Sequence, residues 1–242
     1  MADALDPYLD PSTGILRNKL GITTADQLTQ AEADITSTRL AIFWDNPPDP
    51  TGDLDELRAI HRYLFEPIFD WAGETRTIDM RKGDGPLFVP ASFLDRYAGN
   101  AAAELAGDNI LAGLDREEFI ERLAHHYDQF NDGHFFRDGN GRTGRVFWER
   151  VANDAGWSLD WSLISGPEND YAFLEARHHA DLTPLTDVLA RVVEPYDPTV
   201  HHDADTLAAR AGFRDLHLHK QVEHQPHPII PPHEHGHGGI EL

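Results

Sequence analysis

The stretch GHFFRDGNGRTGR, residues 133–145, constrains this chain more than any other. It gathers four glycines, three arginines, a histidine, an aspartate and an asparagine. Before it, DREEFIERLAHHYDQF places Phe119, Leu123 and Tyr127 at i, i+4 spacing, and Asp115 with Glu118 resembles a capping box. After it, RVFWERVANDAG reads as a second helix. A glycine-rich loop between two helices can turn main-chain N–H groups toward a ligand. Gly139 and Gly141 flank Asn140, and glycine permits positive φ and close approach of the backbone. Opening onto a helix N-terminus, such a turn forms an anion-binding nest.

The charged residues sharpen this reading. Arg142 and Arg145 are three apart, so on a helix they project from neighbouring positions. Two guanidinium groups above a nest suit two or more phosphates better than one carboxylate. Asp138 beside a polyphosphate requires a bridging cation, and Mg²⁺ is the usual one. His134, as a neutral imidazole, can take a proton from an attacking hydroxyl. The assembled pattern is a nucleotide–Mg²⁺ site with its own base. The same letters also fit a plain connecting turn, with Arg145 and Glu149 forming only an i, i+4 surface pair. No Gly-Lys-Ser/Thr follows the glycines and no strand precedes them, so neither the P-loop nor the dinucleotide fingerprint applies.

The rest of the 242 residues alternates helical patterns with dense breaks. Thr24 is placed to cap a helix carrying Leu28, Ala31, Ile35 and Leu40; DNPPDPTGDL interrupts; then Leu57, Ile60, Leu64 and Ile68 share a helical face that Gly73 ends. TRTIDMRKGDGPLFV, residues 75–89, has two β-prone runs around a Gly/Asp/Pro turn and predicts a β-hairpin. The segment at 203–214 predicts one more short helix, and the His-, Pro- and Gly-rich sequence beyond it a poorly ordered tail. The nine histidines after Val200 fit a solvated tail better than a metal centre. Trp71, Trp148, Trp157 and Trp161 are expected in the core, and His125 and His126 as a packing and surface pair. The expected fold is mostly α with one hairpin. A net charge of −22, from 42 acids against 20 bases, repels polyanions and argues against general nucleic-acid or anionic-membrane binding. The absence of cysteine removes thiol chemistry, and an acidic N-terminus without an apolar run points to a cytoplasmic protein.

HFFRDGNGRTGR resembles the signature of the Fic family, His-Pro-Phe-x-Asp/Glu-Gly-Asn-Gly-Arg-x-x-Arg, matching it at His134, Phe136, Asp138, Gly139, Asn140, Gly141, Arg142 and Arg145. It departs at Phe135, where the family usually has proline. LFEPIFDWAGETR resembles the helix entering the family's flap, AGWSLDW the end of the helix after the motif, and YLDPSTGILRNKLGI the N-terminus of bacterial Fic toxins. The resemblance spans roughly residues 8–190 and implies a Fic-fold helical bundle with a hairpin flap; the expected domain, with an N-terminal helical extension, is 1–194, followed by a C-terminal extension at 195–242. It implies transfer of AMP from ATP to a Tyr, Thr or Ser hydroxyl of a target protein. His134 would be the base, Asp138 the Mg²⁺ ligand and Asn140 with its surrounding backbone (Gly139, Gly141) the anion hole. Arg142 and Arg145 would orient the β- and γ-phosphates, and Phe136 would anchor the loop. The flap, with Thr75, Arg76, Thr77, Ile78, Leu87 and Phe88, would dock the target by strand addition. The alternatives are a catalytically silent binding module on the same fold, or an enzyme using another phosphate-containing donor.

The resemblance also bears on control. Fic enzymes are commonly restrained by a helix with Ser/Thr-x-x-x-Glu-Gly/Asn, whose glutamate pairs with the second motif arginine. Here the only Glu followed by Gly or Asn is Glu168, and Ile164 stands four residues before it. The implied restraint is a separate small helical antitoxin supplying a glutamate to Arg145.

Overall fold

A computed structural model describes residues 6–83 and 85–213. The expected disordered tail lies outside the described residues. Helix α1 (Ala25–Phe43) starts at Thr24, whose hydroxyl bonds the Gln27 side chain instead of capping the main chain. Helix α2 (Leu54–Phe65) is capped by Asp53, whose carboxylate accepts from the N–H groups of Asp55 and Glu56 and so satisfies two orphan donors. It ends at Phe65, well short of Gly73. Pro67 explains the early stop, because it has no N–H to continue the ladder and disfavours helical backbone at Glu66. Helices α3 (Leu94–Gly107), α4 (Arg116–Gly133) and α5 (Asn140–Asp154) follow. Asp115 accepts from Glu118 N–H to start α4.

After α5 come β1 (Trp157–Leu159), α6 (Gly166–His179), α7 (Thr183–Val192), β2 (Val193–Pro195) and α8 (Ala204–Arg210). Ser165 and Glu168 form a reciprocal capping box at the start of α6. Pro167 is tolerated there because it stands in the first turn, where no helical donor is needed. Strands β1 and β2 pair antiparallel with Ser158 opposite Glu194. They are the only named strands among the described residues.

The hairpin expected over 75–89 takes a looser form. One antiparallel bridge joins Arg81 to Leu87, and Phe88 N–H donates to Met80 O at 2.9 Å. Lower in the turn, the Arg76 guanidinium takes the Ile78 and Val89 carbonyls that a ladder would have used.

Helices α4 and α5 run through the centre of the core, with Phe119, Leu123, Phe147 and Trp148 buried alongside Phe43, Ile60 and Phe65 from α1 and α2. Each such side chain contributes roughly 1.5–3 kcal/mol on burial. Helix α2 packs on α5, and α1 packs against both α2 and α8. The loop between α4 and α5 therefore emerges directly from the packed core. Trp71, Trp148 and Trp161 are buried and Trp157 is partly so. His126 is buried with Nε2 2.8 Å from Asp108, and His125 lies more openly against Glu104.

Candidate active site

His134 caps α4 in the left-handed region, with φ 42° and ψ 58°. For a residue other than glycine this conformation costs about 1–2 kcal/mol, so the surroundings must hold it. Arg76 does so, donating from Nε to His134 O at 2.7 Å and from Nη2 to Gly133 O at 3.2 Å. Its own N–H donates to Phe135 O at 2.8 Å. Burial lowers the Arg76 pKa to about 10, which leaves it charged at neutral pH. Phe135 and Phe136 are both buried and plug the loop into the core. A Cβ on Gly133 would stand 2.4 Å from Phe135 Cζ. An aromatic ring at position 135 thus fits because the residue two places earlier has no side chain.

His61 of α2 was not singled out by the sequence, yet it bolts the loop in place. Its Nδ1 accepts from Gly73 N–H at 2.7 Å, which leaves Nε2 to donate to Asp138 O at 3.0 Å. The ring stacks on Phe136 at 4.0 Å and on Phe65 at 4.7 Å. Complete burial pushes its pKa down to about 3, so the imidazole is neutral. Gly139 follows at φ 80°, and a Cβ there would meet the Phe65 ring at 2.5 Å. The Asn140 side chain accepts from Phe136 N–H at 2.9 Å and donates to Phe136 O at 2.7 Å, closing the loop on itself. The Asp138 carboxylate accepts from Gly139 N–H at 2.6 Å. The N-terminus of α5, with no side-chain cap, lies next to it. First-turn N–H groups lack intrahelical partners and attract anions.

The arginines are placed differently from one another. Arg142 turns inward from the loop: Nη2 donates to Glu32 Oε2 of α1 at 2.6 Å, and the guanidinium lies over the Phe65 ring. Both partners of this pair are buried. Arg145 lies over Trp161 and donates from Nη1 to Ala211 O at 3.1 Å, beneath the segment 211–213. A Cβ on Gly212 would fall 1.8 Å from that nitrogen. The two guanidinium groups thus face separate partners. Arg137, inside the motif, is buried against Asp6 through Nε at 2.9 Å and Nη2 at 2.8 Å. Glu149, suggested by the sequence as a surface partner of Arg145, is partly buried. It accepts from Ser158 Oγ and Leu159 N–H, and burial pushes its pKa up to about 7. It helps line a cavity of about 490 Å³ that reaches Arg145.

The flap residues divide into two sets. Thr77 and Leu87 are exposed, and Thr75 and Ile78 are half-buried. Arg76 and Phe88, two of the residues of the expected docking flap, are buried at 2% and 4% exposure. Arg76 is engaged with main-chain carbonyls, and the Phe88 ring lies flat on the His134 imidazole at 3.9 Å and 9°. Strand addition would therefore have to use the outward edge near Leu87.

Residues 51–152 match the model of the Fic/DOC family. The chain is 37% identical over 188 residues to "Probable protein adenylyltransferase Fic" of Escherichia coli (strain K12), covering 78% of this chain and 92% of that protein. It is 35% identical over 171 residues to "Protein adenylyltransferase VbhT" of Bartonella schoenbuchensis, covering 71% of this chain but 36% of that longer protein. Its fold is similar to that of the BepC protein of Bartonella tribocorum with bound AMPPNP, at a TM-score of 0.75 and 28% identity over 78% of this chain and 97% of the other. A Fic domain from Bartonella quintana with bound ADP gives a TM-score of 0.75 at 31% identity, over 78% and 95% of the two chains.

Proposed function

Because the chain belongs to the Fic/DOC family, we propose that it transfers AMP from ATP to a hydroxyl side chain of a target protein. One observation carries the reading: His134 is held in a strained left-handed conformation one short loop before an uncapped helix N-terminus. A base and an anion site are thereby fixed in mutual register before any ligand arrives. In this reading His134 takes the proton of a Tyr, Thr or Ser hydroxyl. The hydroxyl oxygen then attacks the α-phosphorus, and pyrophosphate leaves. The N–H groups at the start of α5 stabilise the charge that develops. Asn140 contributes by keeping the loop closed, since its amide is engaged with Phe136. The relatives named as protein adenylyltransferases support this reading.

Asp138 is the residue that would hold Mg²⁺, which when bound neutralises phosphate charge. One carboxylate plus substrate phosphates is an ordinary Mg²⁺ arrangement, and no group of three or more metal-ligating side chains occurs among the described residues. Recruiting the two arginines to the β- and γ-phosphates has structural conditions. Glu32 must share Arg142, and the segment 211–213 must move off Arg145. For control we retain a separate helical antitoxin whose glutamate reaches Arg145. Glu168 is already engaged at the start of α6, where its carboxylate accepts from Ser165 and Arg191, which favours an outside glutamate. Residues 1–194 would form the catalytic unit, acting in the cytoplasm; among the described residues no helix is long and apolar enough to cross a membrane.

The test is label retention. ATP labelled at the α-phosphate, incubated with the chain and a bacterial lysate, should leave label on protein, whereas γ-labelled ATP should not. The His134→Ala protein should transfer nothing while still binding nucleotide. Equal labelling by that variant would remove His134 from the mechanism, and retention of the γ-label would indicate kinase chemistry.

A further inference from the structure

We infer that Arg177, on α6, is a positioning residue for the transfer step, clamping Phe88 against the His134 imidazole. The inference rests on the reading of His134 as the base. An imidazole at the end of a helix retains rotation about its side-chain bonds, so something must set the plane of its ring. Phe88 sets it by stacking at 3.9 Å and 9°. The Arg177 guanidinium lies 4.1 Å from the centroid of the same Phe88 ring. Two planar groups this close to one centroid cannot share a face, so Phe88 is held from both sides. A guanidinium suits that role, being flat, permanently charged and attracted to an aromatic face.

Arg177 also ties together the two segments that must keep their spacing. Its Nε donates to Asp132 Oδ1 at 3.0 Å, two residues before His134. Its Nη2 donates to the carbonyls of Pro86 and Leu87, each at 3.2 Å, just before Phe88. One side chain therefore fastens the end of α4 and the return limb of the flap. Asp132 O accepts from Val89 N–H at 3.3 Å, adding a main-chain link across the same junction. Seven residues earlier on the same face of α6, Asp170 pairs with Lys82 at 2.9 Å and steadies the outer flap. The Arg177 side chain is 7% exposed, so this is a built contact. None of these atoms touches the proposed phosphate site, which separates positioning of the base from nucleotide binding.

The experiment compares the full chain with Arg177→Met, Arg177→Lys and His134→Ala. Methionine keeps the apolar stem, and lysine keeps the charge without the flat fork. The rate of AMP transfer to lysate proteins at saturating ATP should fall roughly ten- to a hundred-fold in both Arg177 variants, the loss that follows from misplacing a reacting group. The half-saturating ATP concentration should not change. In ¹³C-histidine-labelled protein, the His134 ring signals should lose the ring-current displacement imposed by Phe88, with Phe88→Leu as the reference. Wild-type His134 signals in Arg177→Met, or unaltered rates in both Arg177 variants, would overturn the clamp. So would a rate loss fully accounted for by unfolding in a thermal melt. If His134→Ala transfers normally, the base assignment fails, while the histidine signals of Arg177→Met still decide whether the clamp exists.

Discussion

Replacing Gly133 with alanine should have opposite effects on stability depending on the residue at position 135. Gly133 is the last residue of α4 and has no positive φ, so its backbone already suits alanine. Helix propensity alone would favour the change by up to about 1 kcal/mol. In the wild-type protein, however, the new methyl would sit 2.4 Å from Phe135 Cζ and 2.8 Å from both Cε atoms. That ring is 3% exposed and is met edge-on by Phe130, so it has little room to withdraw. Overpacking of this kind costs about 1–3 kcal/mol, and a clash with three rigid ring atoms belongs in the upper half of that range. The expected net effect is a destabilisation of about 1–2 kcal/mol. In a Phe135→Ala background the clash partner is gone, and the same substitution should stabilise by up to about 1 kcal/mol. The coupling energy is then about 2–3 kcal/mol, within the range expected for residues in direct contact. Urea unfolding of the four proteins, followed by tryptophan fluorescence, measures it. The same sign in both backgrounds would refute the idea that Gly133 is present to admit the ring.

Burial pushes the folded pKa of His61 down to about 3, below the ordinary imidazole value of 6.5. The unfolded chain therefore binds its proton first, and stability should fall as pH drops below 6.5, at up to about 1.4 kcal/mol per pH unit; a His61→Gln protein should lack this slope in urea titrations. Glu149 acts in the opposite direction. Burial raises its folded pKa to about 7, above the ordinary carboxyl value of 4.5, so its contribution is lost as pH rises from 4.5 through 7, and Glu149→Gln should flatten that part of the profile. Gly212→Ala places a Cβ 1.8 Å from Arg145 Nη1 at a φ of 64°. Whether the guanidinium or the strained backbone gives way, Arg145 and the segment 211–213 should part, and binding of a non-hydrolysable ATP analogue, read by calorimetry, should tighten; unchanged affinity would mean that the segment does not compete with nucleotide.

The helices were legible in the sequence because apolar spacing and caps such as Asp115 are local signals. The motif loop was legible because its glycines and charges stand next to one another. Contacts between distant residues of ordinary type were not. His61 reaches Asp138 across 77 positions, Arg142 finds Glu32 across 110, and Arg177 reaches Leu87 across 90. A histidine on a helix or an arginine near a helix end carries no local mark of such a partner. In the flap the hairpin was legible but its detail was not. Alternating β-prone letters at 75–89 predicted two paired strands, but they could not reveal that Arg76 would turn inward and occupy the carbonyls. Phe135 looked like a defect in a signature, and only the packing shows that Gly133 compensates for it.

The cover on Arg145 has a consequence for genetics. The guanidinium meets the carbonyl of Ala211, and every residue type supplies a carbonyl. Missense changes at position 211 thus leave the acceptor in place, while α8 itself is anchored by buried Ala208 and by the Arg210 bonds to Asp160, Ser158 and Glu194. Gly212 is the exception, because any side chain there collides with Nη1. A selection for variants with an uncovered Arg145 should therefore return premature stops before α8, substitutions at Gly212 and losses of the anchors Ala208 and Arg210, with few changes at position 211.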